Sequence, residues 1–299
     1  MKVKSIIKGY FPITEYSYLK EAGRQLKNDP SQYTFPLTRS VGKLSMIPER
    51  ILDWWRNAVK ESCSRADNAT KPKYKEGSYD FITRKVLHTD YTMVVAVVLA
   101  RKIKVSTEKQ AVLLGLLHDV GRFEEVTTGP LRVRVHHGIT SKDMLVEEFE
   151  QRTIDGELDK IFDIDQMLEA IAQHGYATCN HKNSLATFLR DADKISINSG
   201  IEGWIENDKY KFDQRPFWKI SKRVRDGFIK NRMVLDENLK SGADNFMKNM
   251  SFFYQLVYPE SYQYAKKKGI IQNMVDIYDN RVENKDQELT KAVHEALKL

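Results

Sequence analysis

The chain reads as an all-α protein, and three features of its sequence predict this. Apolar residues recur at three- and four-residue spacing from about residue 48 to the C-terminus. No stretch keeps the strict alternation of a half-buried strand. The eight prolines lie mostly outside the apolar segments. In order, "PERILDWWRNAVKESCSR" (48–65) puts Pro48 at a first helical turn and Ile51, Trp54, Trp55 and Val59 at helical spacing. "DFITRKVLHTDYTMVVAVVLARKI" (80–103) reads as one long helix. Thr107 and Gln110 make a capping box for the next, which runs through Leu117. Residues 126–135 read as a loop. Helices are expected over 139–151, over 164–176 with a start signal in Asp163 and Gln166, and over 184–200, where Gly200 can end the turn. The segments 216–234 and 246–278 are helical in pattern, and the tail carries a stripe of Leu289, Val293, Ala296 and Leu297.

The 299 residues, 41% hydrophobic and 30% charged, are enough for a sizeable core. The longest apolar runs, "MVVAVVLA" (93–100) and "AVLLGLL" (111–117), fall far short of the roughly 18 residues a membrane-spanning helix needs. The first residues show no apolar stretch of signal-peptide length, so the expectation is a cytoplasmic protein with no membrane partner. Cys63 and Cys179 make neither a disulfide framework nor a zinc-type pair. The net charge of +7 favours small anionic partners diffusely and does not by itself argue for nucleic acid.

Six of the seven histidines fall between residues 88 and 181. In order come His88, His118-Asp119, His136-His137, His174 and His181, followed by Asp191 and Asp193 in "RDADKI". Several end an apolar helical segment: His118 closes "AVLLGLL" and His174 closes "MLEAIAQ". Burying the Asp119 carboxylate there is costly unless it is paired or grips something charged. Imidazole nitrogen and carboxylate oxygen are ligands for borderline divalent metals, so the set could share a cation. A lone histidine in a helix is more often an ordinary surface or core residue; the ordered set is what carries weight.

The order His88, His118-Asp119, Asp193, with "LLHDVGRF" in place, resembles the HD-domain metal-dependent phosphohydrolase superfamily over roughly residues 80–200. The resemblance implies an all-α HD-domain helical bundle over residues 76–200; residues 1–75 match nothing in it and read by pattern as an N-terminal helical extension, and residues 201–299 as C-terminal helices. It implies His88, His118, Asp119 and Asp193 as ligands of a divalent ion. His137 and His174 match two further histidines of a dinuclear subset in which Asp119 would bridge. His136 competes with His137 for that role, and Asp191 is the weaker choice beside Asp193. The implied activity is phosphoester cleavage of a nucleotide or another small phosphorylated metabolite by metal-activated water. Asp119 and Arg122 are its catalytic residues, and Arg122, Arg132, Arg134 and Lys194 are candidates for contacting substrate. Which divalent ion binds, manganese, magnesium, iron, nickel or zinc, is not distinguished. Two other readings share the ligand set: a diiron oxygenase resembling inositol oxygenase, and a non-catalytic nucleotide sensor. The basic segment "WKISKRVRDGFIKNR" is either a solvated helix face or a phosphate-attracting wall, and Trp54 and Trp55 can serve core packing or an oligomer contact.

Overall fold

The computed structural model describes residues 16–40, 42–68, 72–124, 136–150, 158, 160–175, 184–199 and 218–298. Among them the chain is all-α, with thirteen α-helices, several short 3-10 turns and no strand. No helix of the described residues is long and apolar enough to cross a membrane. The fold divides into two compact units, one of residues Ser17–Ser196, the other of Met1–Tyr16 with Ile197–Leu299. Residues 17–75, set apart by sequence as an extension, lie in the same unit as the histidine-bearing helices.

That unit is built from α1 (Tyr16–Asn28), α2 (Pro36–Ser40), α3 (Glu49–Asp67), α4 (Pro72–Ile103), α5 (Glu108–Leu117), α6 (His137–Glu150), α7 (Ile164–Gln173) and most of α8 (Ser184–Ser199). Pro48 serves as the N-cap of α3 rather than its first helical residue. The stripe Ile51, Leu52, Trp55, Val59, Cys63 and Ala66 is buried, and Trp54 lies off it. Helix α4 starts at Pro72, eight residues before the apolar periodicity begins. The polar stretch "PKYKEGSY" has no stripe to announce a helix. The capping box of α5 forms: the Gln110 amide donates to Thr107 Oγ1 at 3.1 Å, and the Thr107 amide to Gln110 Oε1 at 2.8 Å. Residues Ala111 to Leu117 are all buried, so α5 is the central helix of the unit. It lies close enough to α4 that a Cβ on Gly115 would stand 2.7 Å from the Met93 Cα. Only glycine permits that approach, which brings the C-terminal end of α5 alongside the middle of α4.

The N-terminal segment grips this pair. Asp90, on α4, caps α2 from outside: Oδ2 accepts from the Leu37 amide at 3.0 Å, and Oδ1 accepts from the Thr38 amide at 2.9 Å and its hydroxyl at 2.6 Å. Phe35 adopts φ +46°, a costly conformation for a bulky residue. Its ring is fixed between Tyr33 (centroids 5.0 Å) and Trp55 (4.9 Å), and Trp55 continues edge-on to Phe123 at 5.5 Å. Ser62 donates to the Phe123 carbonyl at 3.0 Å, and Arg65 to Glu124 at 2.6 Å. Trp55 is therefore a core residue, as one of the two sequence readings has it.

The other unit holds α9 (Lys222–Asn231), α10 (Gly242–Ser251), α11 (Pro259–Lys267), α12 (Ile270–Arg281) and α13 (Gln287–His294). The helical pattern over 246–278 is not one rod. It breaks at a 3-10 turn over Phe252–Gln255, at Pro259, and at Gly269, whose φ of +65° ends α11 and starts α12. Asp244 organises the start of α10, accepting from the Ser221 amide at 2.7 Å and the Lys240 amide at 2.8 Å. The tail stripe is buried at Leu289, Val293 and Ala296, below an Asp286 cap that accepts from the Leu289 amide at 2.9 Å. On α9, Val224 and Phe228 face the core; Lys222 pairs with Asp226, and Arg225 with Asp226, Asp286 and Glu288. Much of that basic charge is thus matched by acids of its own unit.

Candidate metal centre

Six side chains meet in the unit Ser17–Ser196, three of them (His118, His137 and His174) at helix ends. His88 lies midway along α4. His118 is the C-cap of α5, and Asp119 follows it, opening a 3-10 turn over Val120–Phe123. His137 is the first residue of α6, His174 is the C-cap of α7, and Asp193 lies on α8. All are buried except His137, which is partly exposed. They form two compact groups that share one carboxylate: His88, His118 and Asp119, and Asp119, His137 and His174.

The geometry around each oxygen is distinct. Asp119 Oδ2 lies 3.7 Å from His88 Nε2 and 3.8 Å from His118 Nε2. Its Oδ1 lies 3.4 Å from His137 Nε2 and 3.6 Å from His174 Nε2. Asp193 Oδ1 borders the first group, 3.0 Å from His88 Nε2 and 3.8 Å from His118 Nε2. The facing ring nitrogens are 3.3 Å apart for His88 and His118, and 3.2 Å for His137 and His174.

The hydrogen-bond network assigns the tautomers. His118 Nδ1 lies 2.8 Å from the Gly115 carbonyl and His174 Nδ1 lies 2.7 Å from the Ile171 carbonyl. A carbonyl only accepts, so both Nδ1 atoms carry the proton and both Nε2 atoms present lone pairs. The device is the same twice: a C-cap imidazole folds back onto the carbonyl three residues earlier, using a group the helix end leaves unpaired. His88 Nδ1 meets Ser196 Oγ at 2.9 Å, and its Nε2 lies 3.0 Å from Asp193 Oδ1, so the ring is held from both sides by residues of α8. The Nε2 lone pair of His118 faces carboxylate oxygens of Asp119 and Asp193, each 3.8 Å away.

Such an arrangement is repulsive by itself and satisfied by a cation. Nitrogen ligands about 2.0–2.1 Å from a tetrahedral ion stand roughly 3.3 Å apart, the spacing both imidazole pairs adopt. Asp119 Oδ1, buried, has no hydrogen-bond partner. Outer-shell bonds from each ligand to a carbonyl or hydroxyl are the usual support of metal-binding histidines. The donor set thus fits a divalent ion at the first group and a second at the other.

Electrostatics keep the donors in ligand form. Burial pushes the His118 imidazole down to about 3 and holds His137 well below the ordinary imidazole range. Burial would raise the Asp119 and Asp193 carboxyls. The Lys85 ammonium beside Asp119 and the Lys194 ammonium beside Asp193, with the neighbouring imidazoles, outweigh it and hold both well below the usual carboxylate range.

His136 is brought near but turned aside. Its Nδ1 accepts from the Gly138 amide at 3.2 Å and its ring stacks against His137, centroids 4.2 Å apart. The ring lies on the bare Cα of Gly175, where a Cβ would stand 2.2 Å from His136 Cε1. His137, not His136, supplies the nitrogen to Asp119. Arg122 stands at the rim with Nε 3.9 Å from Asp119 Oδ1, its side chain 28% exposed. Lys194 donates to Asp193 Oδ2 at 3.1 Å. Asp191 is fully buried on α8 and belongs to neither group. Arg132, Arg134 and His181, with the 126–135 loop and Gly200, lie outside the described residues. Sequence reasoning missed Lys85 and Ser196. Each sits three residues from a ligand on the ligand's own helix, a spacing that places it on the same face and was the available signal.

Comparison of the chain with protein-family models, with curated proteins and with solved structures gives no significant match.

Proposed function

We propose that this chain is a metal-dependent phosphohydrolase that cleaves a phosphoester of a nucleotide or another small phosphorylated metabolite. The observation that carries the reading is the pair of His/Asp triads sharing Asp119, whose Oδ1 is buried without a hydrogen bond. The resemblance of His88, His118-Asp119 and Asp193 to the HD-domain superfamily supports the choice of reaction. Divalent ions held by His88, His118, Asp119, His137, His174 and Asp193 would supply an acidified water and neutralise phosphate charge. The chain's own residues do the rest. His118, His174 and His88 are oriented through Gly115, Ile171 and Ser196. Asp119 presents one oxygen to each triad. Arg122, at the exposed rim, offers a charged donor to a phosphate oxygen in the transition state.

The test is elemental analysis of the purified protein, followed by a phosphate-release screen over nucleotides and simple phosphate esters with each divalent ion. The expected result is about one to two ions per chain and metal-dependent phosphate release. Oxygen consumption with bound iron and no phosphate release would replace this reading with the oxygenase one. Protein that bound no divalent ion would overturn both.

A further inference from the structure

The two oxygens of Asp119 each have a cationic side chain beside them. Lys85 Nζ donates to Oδ2 at 2.9 Å, and Arg122 Nε lies 3.9 Å from Oδ1. The two cations come from different elements, Lys85 from α4 one turn before His88, Arg122 from the 3-10 turn after Asp119. Both side chains are partly exposed, 21% and 28%, over a carboxylate that is 3% exposed. The imidazoles of His118 and His174 below are fully buried. Both cations are thus more exposed than the carboxylate they flank and the imidazoles behind it. A lysine whose whole task was to neutralise Asp119 would compete for an oxygen the first triad needs. A cation on each side of one carboxylate, both at the mouth, serves a ligand with more than one negative oxygen.

We infer that Lys85 is a substrate-binding residue which, with Arg122, forms a two-cation mouth selecting a terminal phosphomonoester dianion over a phosphodiester. The inference rests on the phosphohydrolase reading and adds to it the class of ester. A monoester offers three non-bridging oxygens and close to two charges at neutral pH, enough for both cations and the floor. A diester offers two such oxygens and one charge, and leaves one cation of the mouth unmatched. Lys85 acts as a point charge and Arg122 as a fork, so the pair is not interchangeable.

The experiment compares wild type, Lys85→Met, Lys85→Arg and, as a charge control on the exposed face of α9, Lys222→Met. Three quantities are read: bound metal, the Kd of inorganic phosphate by calorimetry on metal-loaded protein, and kcat/KM for p-nitrophenyl phosphate against bis(p-nitrophenyl) phosphate. The expected result for Lys85→Met is unchanged metal content, phosphate binding about 10-fold weaker, and a monoester-to-diester preference about 10-fold smaller. Lys85→Arg should recover part of both, and Lys222→Met should match wild type. Phosphate affinity and ester preference unchanged in Lys85→Met would overturn the inference. So would a Lys85→Met protein that loses metal yet, once reloaded, binds phosphate as wild type does; Lys85 would then only position Asp119. Either result leaves the phosphohydrolase reading intact if wild type releases phosphate, whereas wild type that holds no metal and cleaves neither ester ends that reading first.

Discussion

Asp90 and Asp119 are buried carboxylates of the same compact unit, and they are satisfied in opposite ways. Asp90 takes two backbone amides and a hydroxyl from the turn at Leu37 and Thr38. Both its oxygens are matched by donors, and it holds α2 onto α4. Asp119 has Lys85 on one oxygen and, around the other, two imidazole nitrogens too distant for hydrogen bonds. Folding has given both oxygens of the first carboxylate hydrogen bonds and left Oδ1 of the second without one. A buried acid with both oxygens taken by amide and hydroxyl donors reads as architecture; one with an oxygen left unbonded among imidazole nitrogens reads as half of a binding site.

The largest expected effect breaks the second member of the pair. Asp119→Asn keeps the volume but turns an amide toward lone pairs of one triad or the other. Metal affinity should fall by about 100-fold or more, the upper end of what even outer-shell changes produce. Elemental analysis after dialysis would read this, with helical content by circular dichroism near wild type. Metal retained at full stoichiometry would remove Asp119 from the centre. Gly175→Ala sharpens the division between the triads. Its Cβ would stand 2.2 Å from His136 Cε1 and 2.8 Å from His137 Cε1, so His137 must move. The ion at the His137–His174 group should be lost while the one at His88–His118 stays, halving the stoichiometry in a metal titration.

Asp90→Asn tests the completed carboxylate. An asparagine can place its oxygen at Thr38 or at Leu37, not at both, leaving one buried amide facing an NH2 group. The expected cost is about 1–3 kcal/mol in urea unfolding, with the bound-metal count unchanged. Loss of metal in this variant would mean the N-terminal turn and the centre are not separable. The smallest effect lies in the other unit. The Arg225 guanidinium, with the Leu289 amide, holds the Asp286 carboxyl down from 3.8 to about 2. A depressed carboxyl stabilises the folded state above its unfolded value and loses that contribution as pH falls through about 2. Asn also caps helices, so Asp286→Asn isolates the charge. Its melting temperature should lie roughly 1–3 °C below wild type at neutral pH, and the gap should close between pH 4 and pH 2.

Much of this was legible along the chain, and the exceptions are instructive. The Thr107–Gln110 box, the Asp163 cap and the buried stripes of α3 and α13 rest on neighbours three or four residues apart, so local spacing suffices. The breaks within 246–278 were hidden because the apolar period runs through Pro259 and Gly269 almost in phase. His118, His174 and Asp193 were readable because each sits late in or just after an apolar helical segment, and His88 was added by the resemblance of the ordered set to a known family.

The sequence by itself determined the helical class and the residues able to ligate. The tertiary structure decided what each of them faces. His136 and His137 are adjacent and chemically identical, and the bare Cα of Gly175 and the Gly138 amide turn one ring aside while the other meets Asp119. Asp90 and Asp119 differ only in what reaches them from residues 53 and 34 positions away in sequence. Helix periodicity is a property of nearest neighbours, whereas an unsatisfied lone pair exists only once every distant donor has taken its place.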